Sequence, residues 1–160
     1  MANTTFQGVV RSYGGGGKGV VTPAPMTQSV QIAIDPTSAA TTGTPVRIGT
    51  SSSAGEQLVL PAGAMPISFL TIGGSAGGTN PTIDIGGIPA GGSLDADGLF
   101  NEVDADTKGT LKGADGALVI AGGLAAQTTV TASVGASAAT SGTVVGVMTY
   151  AMANDGVEQN

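Results

Sequence analysis

Short apolar segments in which every second residue is hydrophobic recur from residue 29 onward, and they constrain the fold more than any other feature. Val30, Ile32 and Ile34 alternate with polar or small residues until Asp35 and Pro36 interrupt the run. A period of two is the pattern of a β-strand with one buried face, and Gly, Pro, Asp and Asn commonly separate such strands. Eight short apolar segments are separated in this way, namely residues 30–34, 46–48, 57–60, 67–72, 82–85, 117–120, 128–134 and 143–152. They predict an all-β fold with about eight short strands, a single antiparallel β-sandwich, jelly-roll-like domain or barrel.

The last two segments are the clearest. We predict that residues 128–134 and 143–152 pair antiparallel across the flexible connection 135–142, with the final strand central in its sheet. Both faces of that strand are largely apolar, so we expect it to be covered on both sides. One cover would be the domain core. The other would be a neighbouring subunit, contacted by Val144, Met148 and Tyr150.

Residues 1–28 differ from the remainder of the chain, which we predict to be a β domain over residues 29–160. The segment contains four consecutive glycines at 14–17 and prolines at 23 and 25. Glycine leaves the backbone conformationally free, and proline is excluded from the middle of a sheet. We therefore predict an extended N-terminal arm that is either disordered or ordered by lying on another molecule.

The arm carries a charge opposite to that of the body. Arg11 and Lys18 give residues 1–28 a charge of +2 with no acidic residue, whereas the remaining three bases and eleven acids give −8. Phe6 and Tyr13 supply two of the five aromatic residues of the chain, and aromatic and Arg side chains concentrate binding energy at interfaces. We predict that Phe6, Arg11, Tyr13 and Lys18 dock a partner, the alternative being isolated exposed side chains without a function.

The chain contains no Cys, His or Trp. This excludes a disulfide framework, Cys or His metal sites, and a Ser-His-Asp or Cys-His catalytic centre. Residues 73–77 match the G-x-S-x-G motif, but no His is present to activate the serine. Residues 14–19 lack the Ser or Thr that follows Lys in a phosphate-binding loop. We expect neither an enzyme nor a cofactor.

The net charge of −6 does not suit nucleic-acid binding, which depends on Lys and Arg. No run approaches the roughly 18 apolar residues of a membrane helix, and the N-terminus lacks the features of a signal peptide. We therefore expect no nucleic-acid or membrane partner, and synthesis in a cytoplasm.

Four aspartates lie close together in the sequence, with an exposed loop expected over residues 91–116. They are Asp95, Asp97, Asp104 and Asp106. Carboxylates at such spacing can ligate Ca²⁺ or Mg²⁺, but Lys108 and Lys112 occupy positions where an EF-hand-like loop would need ligand oxygens. The favoured alternative is that these aspartates form Asx turns in a soluble loop.

Both ends of the chain resemble small bacteriophage virion structural proteins that decorate or cement a capsid. The resemblance rests on residues 2–12, Ala-Asn-Thr-Thr-Phe-x-Gly-x-Val-Arg-Ser, and on residues 141–150, Ser-Gly-Thr-Val-Val-Gly-Val-Met-Thr-Tyr. It implies a homotrimer on the outer capsid surface of a virion, with the arm reaching over the phage major capsid protein and stabilising the shell. A tail-fibre or host-binding β module, with residues 91–116 as its contact surface, is the alternative.

Overall fold

The structure of the chain, a computed structural model, describes residues 26–37, 43–74, 76–120 and 123–152. These residues form ten β-strands and one four-residue helix, which confirms the all-β fold. The strands are β1 (Met26–Ile34), β2 (Thr44–Pro45), β3 (Arg47–Ile48), β4 (Val59–Leu60), β5 (Ala64–Gly74), β6 (Thr82–Pro89), β7 (Asp95–Asp104), β8 (Leu111–Gly113), β9 (Thr128–Val134) and β10 (Val144–Met152). The helix α1 is Ala117–Ile120, and no helix among the described residues is long and apolar enough to cross a membrane.

The strands make two antiparallel sheets, as a β-sandwich requires. Sheet I contains β3, β1, β10, β5 and β8 in that order, and sheet II contains β2, β9, β6 and β7, with β4 also paired to β9. Strand β10 lies at the centre of sheet I, as predicted. It pairs with β1 along its whole length, from Met26 opposite Met152 to Ile34 opposite Val144.

The predicted pairing of β9 with β10 is wrong. Strand β9 belongs to sheet II, where it pairs with β6 from Ile83 opposite Val134 to Pro89 opposite Thr128. The intervening residues 135–143 cross from one sheet to the other, a separation of about 10 Å in face-to-face packing. Alternation shows that a strand has an apolar face, but it does not identify the neighbouring strand unless a tight turn fixes it.

Two elements in the acidic half of the chain also differ from the prediction. Residues 117–120, predicted as a strand, form α1, in which Leu118 and Val119 pack against the core. Residues 95–104, predicted as part of a loop, form β7. The register of β7 against β6 shifts twice, and Glu102 has a left-handed backbone with φ of 52°. These irregularities break the period of two, so the strand is not visible in the sequence pattern.

Strand β1 begins earlier than the predicted domain boundary. Its pairing with β10 starts at Met26, so the boundary predicted at residue 28 falls inside a strand of sheet I. Residues 1–25 lie outside the described residues, and the extended arm predicted there stays a prediction.

Two aromatic rings join the sheets in the core. The rings of Phe69 on β5 and Phe100 on β7 have centroids 6.2 Å apart and planes tilted by 58°, which is a favourable geometry for an aromatic pair. Thr71 on β5 adds a polar link, because its hydroxyl donates a hydrogen bond to the carbonyl oxygen of Asp104 at 3.0 Å. The other large, fully buried side chains are Ile32, Val46, Leu60, Ile83, Ile85, Leu99, Val103, Val130, Val144 and Met148.

Candidate interaction surface

The residues predicted to dock a partner lie outside the described residues, and their role stays a prediction; they are Phe6, Arg11, Tyr13 and Lys18. The structure does show where their segment joins the sandwich. Met26 starts β1 opposite Met152, at one end of sheet I. At the same end the hydroxyl of Tyr150 donates a hydrogen bond to Oε1 of Gln28 at 2.7 Å. The described chain therefore begins, at Met26, in a strand pair that is matched along its whole length.

The structure places Val144 and Met148 in the core rather than at the predicted subunit contact. Both side chains are fully buried, and Met148 lies opposite Phe69 across β10 and β5. Both faces of β10 are apolar in sequence, and Gly146 decides which one is inside, because the ring of Phe69 packs where a side chain at 146 would stand. Tyr150 lies on the same face but is half-buried near the end of the strand, and its contact with another subunit stays a prediction.

The opposite face of β10 lies on the outside of sheet I. Val147, Leu70 and Leu111 stand opposite one another across β10, β5 and β8 and therefore form one row. Leu111 is 66 % exposed, the largest value among the large apolar residues that the structure describes. We define the outer face of sheet I by its exposed or half-buried apolar side chains, which are Met65, Ile67, Leu70, Ile72, Leu111, Val145 and Val147.

Two β-bulges in β5 enlarge this outer face. The register of β5 against β10 shifts twice, and Ile67 and Ile72 are the residues left without a partner in β10. Ile67 is 42 % exposed and Ile72 half-buried, whereas their neighbours Pro66 and Thr71 are buried. A β-bulge sets two residues of one strand against a single residue of the partner and redirects a side chain. Each bulge therefore adds an isoleucine to the outside of the sheet.

The two sheets differ in charge. The central strands of sheet I, β1, β10 and β5, contain no charged residue, and its edge strands β3 and β8 contribute only Arg47 and Lys112. The strands of sheet II contain no basic residue. They do contain five acidic residues, Asp84, Asp95, Asp97, Glu102 and Asp104. The protein thus has one acid-free sheet and one acidic sheet.

The carboxylates on sheet II are close enough to affect one another. Burial raises the pKa of Asp84. The backbone N–H of Glu102 donates to Oδ1 of Asp84 at 2.8 Å and acts in the opposite direction, while the negative charges of Asp97, Glu102 and Asp115 raise this pKa further. Burial, followed by the neighbouring Asp97, also raises the pKa of Asp95. The surface of sheet II is therefore a region of concentrated negative charge.

Asp115 behaves differently because it has a cationic partner. Burial acts to raise its pKa, but hydrogen bonds from Lys112 and from the backbone N–H of Asn101 outweigh burial, and the pKa is lowered. The Lys112 Nζ lies 2.6 Å from Oδ2 of Asp115, and the Asn101 nitrogen lies 2.9 Å from its Oδ1. The charge of Lys112 is therefore paired with a carboxylate of its own chain.

Asp104 is one of the four aspartates considered as ligands of a divalent ion, and its side chain closes a turn. The Asp104 carboxylate accepts hydrogen bonds from the backbone N–H groups of Asp106 at 3.1 Å and Thr107 at 2.9 Å, which is the Asx turn of the favoured alternative. Burial acts to raise the pKa of Asp104, but these hydrogen bonds lower it overall. Within the described ranges, no three acidic, His or Cys residues are grouped so that they could hold a metal ion.

An open groove of about 350 Å³ lies at one end of sheet II, between β4 and the connection after β6. Its lining residues are Val59, Ile88, Pro89, Ala90, Gly91, Gly92, Gln127 and Thr129. All of them are uncharged, so this groove does not bring together the carboxylates of the acidic region.

The outer face of sheet I was not found from the sequence, although a signal for it exists. Residues 19–34, 57–83 and 116–154 contain no Asp, Glu, Lys or Arg, and β1, β5 and β10 fall within these ranges. Strands β4 and β9 of sheet II fall within them too, so this signal alone does not separate the two sheets. The alternation of apolar residues marks the strands, but the bulges at Ile67 and Ile72 are not visible in it.

Comparisons with known proteins give one distant likeness. No protein-family model matches the chain, and no curated protein matches it. Among solved structures, the chain is similar to one described as "Capsid of Ralstonia phage GP4", with a TM-score of 0.48 and 19 % sequence identity. The alignment covers 83 % of this chain and 87 % of that chain. Similarity at this level assigns neither a family nor a function.

Proposed function

We propose that the protein is a structural component of a bacteriophage virion, a decoration or cement protein that binds the outside of the capsid as a homotrimer. In this role it has no catalytic activity. The observation that carries the proposal is the separation of charge between an acid-free sheet and an acidic one. A chain within a virion assembly needs one side that other protein chains, neighbouring copies included, can approach and another that stays hydrated.

The N-terminal segment supplies the contact with the capsid in this proposal. The first acidic residue of the chain is Asp35, so the segment and β1 together form an acid-free stretch that continues into sheet I. Phe6 and Tyr13 would bury aromatic surface on the major capsid protein, and Arg11 and Lys18 would contact its carboxylates or carbonyl groups. The sequence resemblance at both ends of the chain supports the same assignment.

Shell stabilisation follows from binding to the assembled state. A ligand that binds the assembled shell and not its free subunits stabilises the shell by mass action. A homotrimer with three arms would engage several capsid subunits at once, which raises the overall affinity without any new type of contact. The acidic sheets would then face the solvent and keep the particle surface hydrated.

Binding of purified protein to particles that lack it tests the proposal. The double variant Arg11→Gln/Lys18→Gln and the double variant Phe6→Ser/Tyr13→Ser should each reduce particle occupancy at a fixed concentration. Lys108→Gln is the matched control, because Lys108 is an exposed base on the body, and its occupancy should equal that of the unchanged protein. Particles with bound protein should also release their DNA at a higher temperature than bare particles.

Other outcomes would reject parts of this proposal. Full occupancy by both double variants would remove the docking role of the N-terminal segment. Absence of binding by the unchanged protein to any capsid, together with binding of the residue 91–116 region to a host glycan, would favour the tail-fibre or host-binding alternative.

A further inference from the structure

We infer that the outer face of sheet I is the surface through which copies of this chain contact one another. The inference deepens the homotrimer of the proposed function and rests on it. It replaces the contact predicted through Val144 and Met148, which the structure buries in the core. The occupant of this face is a second copy of the chain. Measurements of the mass of the protein in solution distinguish this occupant from other partners.

Charge favours this face over the acidic surface of sheet II. Each copy has a net charge of −6, so contact through sheet II would bring the carboxylates of Asp84, Asp97 and Glu102 next to those of the neighbouring copy. Like charges placed together at an interface are costly. The three central strands of sheet I contain no charged residue, so two copies can approach there with the least repulsion.

The apolar content of the face supplies an attraction. Leu111 is 66 % exposed, Ile67 42 % and Met65 38 %, and the half-buried Leu70 and Val147 lie in one row with Leu111 across β5 and the central strand β10. The described part of the chain thus exposes apolar side chains from three neighbouring strands on one side. Burial of such side chains contributes about 25 cal/mol per Å² of apolar area removed from water. The cores of protein interfaces are depleted of charged residues in the same way.

The charged groups of sheet I stand at its edges. Arg47 lies on edge strand β3 and Lys112 on edge strand β8, where Lys112 is paired with Asp115 of its own chain. Arg47 Nη1 donates a hydrogen bond to the carbonyl oxygen of Gly55 at 3.2 Å. An uncharged centre with a polar rim is the usual organisation of a protein–protein interface. Three such faces turned toward a common axis would leave the three acidic sheets pointing outward.

The test uses the full chain and measures its mass in solution by sedimentation equilibrium. Ile67→Glu and Leu111→Glu each place a carboxylate on the outer face of sheet I. Val134→Glu is the matched control, because Val134 is a comparably exposed apolar residue, at 38 %, on β9 of sheet II. We expect the unchanged protein and V134E to be trimers, and the dissociation constant of I67E and L111E to rise by roughly tenfold or more.

A second measurement keeps the test valid if a glutamate variant does not fold. The chain contains no Cys, so Ile67→Cys and Val134→Cys each introduce a single thiol with a small change of side chain. The thiol at 67 should react slowly with a water-soluble reagent at concentrations where the protein is associated, and rapidly after dilution. The thiol at 134 should react at the same rate at both concentrations.

The outcomes distinguish this inference from the proposed function. A trimer whose mass is unchanged in I67E and L111E, with a thiol at 67 that reacts rapidly, overturns the interface and leaves the homotrimer in place. Equal dissociation of V134E and the sheet I variants means that added negative charge alone separates the copies, which also overturns the interface. A monomeric unchanged protein overturns both the interface and the homotrimer, while binding of that monomer to capsids would preserve the virion role.

Discussion

The ring of Phe69 on β5, whose backbone pairs with Met148, reaches over Gly146 on β10 and occupies the space where a side chain at 146 would stand. The absence of a Cβ at this position leaves room against the central strand for Phe69, the largest fully buried side chain of sheet I. That contact decides which face of β10 is buried, and it therefore turns Val145 and Val147 toward the outside.

Gly146→Ala should destabilise the fold because the added methyl group overlaps the ring of Phe69. Overpacking of this kind costs typically about 1–3 kcal/mol of unfolding free energy. Gly73→Ala is the control, since a Cβ at Gly73, on the same sheet, meets no atom within 4 Å. It should leave stability unchanged or raise it by up to about 1 kcal/mol. Urea unfolding of both variants measures the difference, and equal stabilities would show that the glycine is not required for packing.

The hydroxyl of Thr131 is buried without a hydrogen-bond partner, whereas that of Thr71 donates to the carbonyl oxygen of Asp104. Thr131→Val removes an unsatisfied polar group and should raise the unfolding free energy by about 1 kcal/mol. Thr71→Val removes a satisfied one and should lower it by about 1 kcal/mol. The same substitution thus has opposite effects on the two sheets. Thermal unfolding of the two variants checks the prediction, and a change of the same sign in both would contradict it.

Asp84 should make the fold less stable as the pH rises. Its pKa is raised above the usual value by burial, with the carboxylates of Asp97, Glu102 and Asp115 adding to the effect. The folded state therefore holds the proton more tightly than the unfolded chain, and this contribution to stability is lost as the pH rises through the folded pKa. Asp84→Asn keeps an oxygen that can accept from the Glu102 N–H. It should raise the melting temperature at neutral pH and have little effect below about pH 4.

Asp115→Asn should have the opposite effect on stability at neutral pH. Although burial acts to raise the pKa of Asp115, the hydrogen bonds from Lys112 and Asn101 lower it. Ionised Asp115 therefore stabilises the fold above its ordinary pKa, and that contribution is lost as the pH falls. The Asp115→Asn variant should lose stability at neutral pH, by less than about 1 kcal/mol because the pair is partly exposed and screened. If both variants shift the melting temperature in one direction at neutral pH, the electrostatic account of sheet II is wrong.

The alternation of apolar residues was sufficient to predict the fold class and most strands. It identifies β9 and β10 closely, because the predicted segments 128–134 and 143–152 agree with the observed Thr128–Val134 and Val144–Met152. It fails for β7, where two register shifts and the left-handed Glu102 break the period. It also fails for residues 117–120, since four apolar residues in a row fit a buried strand and a helical turn equally well.

The sequence also does not predict which face of β10 lies on the outside, and here the reason is different. Two apolar faces on one strand are equivalent in a sequence pattern, and they are distinguished by packing, with Val144 and Met148 in the core and the ring of Phe69 over Gly146. The bulges that turn Ile67 and Ile72 outward depend on the pairing with β10, which is a long-range property. The predicted docking residues Phe6, Arg11, Tyr13 and Lys18 lie outside the described residues and are tested only by the binding experiments above.

The copy number of the protein in purified virions tests the central claim most directly. Quantitative mass spectrometry of virions, with the major capsid protein as the internal reference, measures the ratio of the two chains. A decoration protein on the outer capsid surface predicts many copies in a fixed, simple ratio to the capsid protein, removable without opening the shell. A few copies per particle, or none after removal of the tails, would contradict a capsid role and assign the protein to the tail or to no virion component.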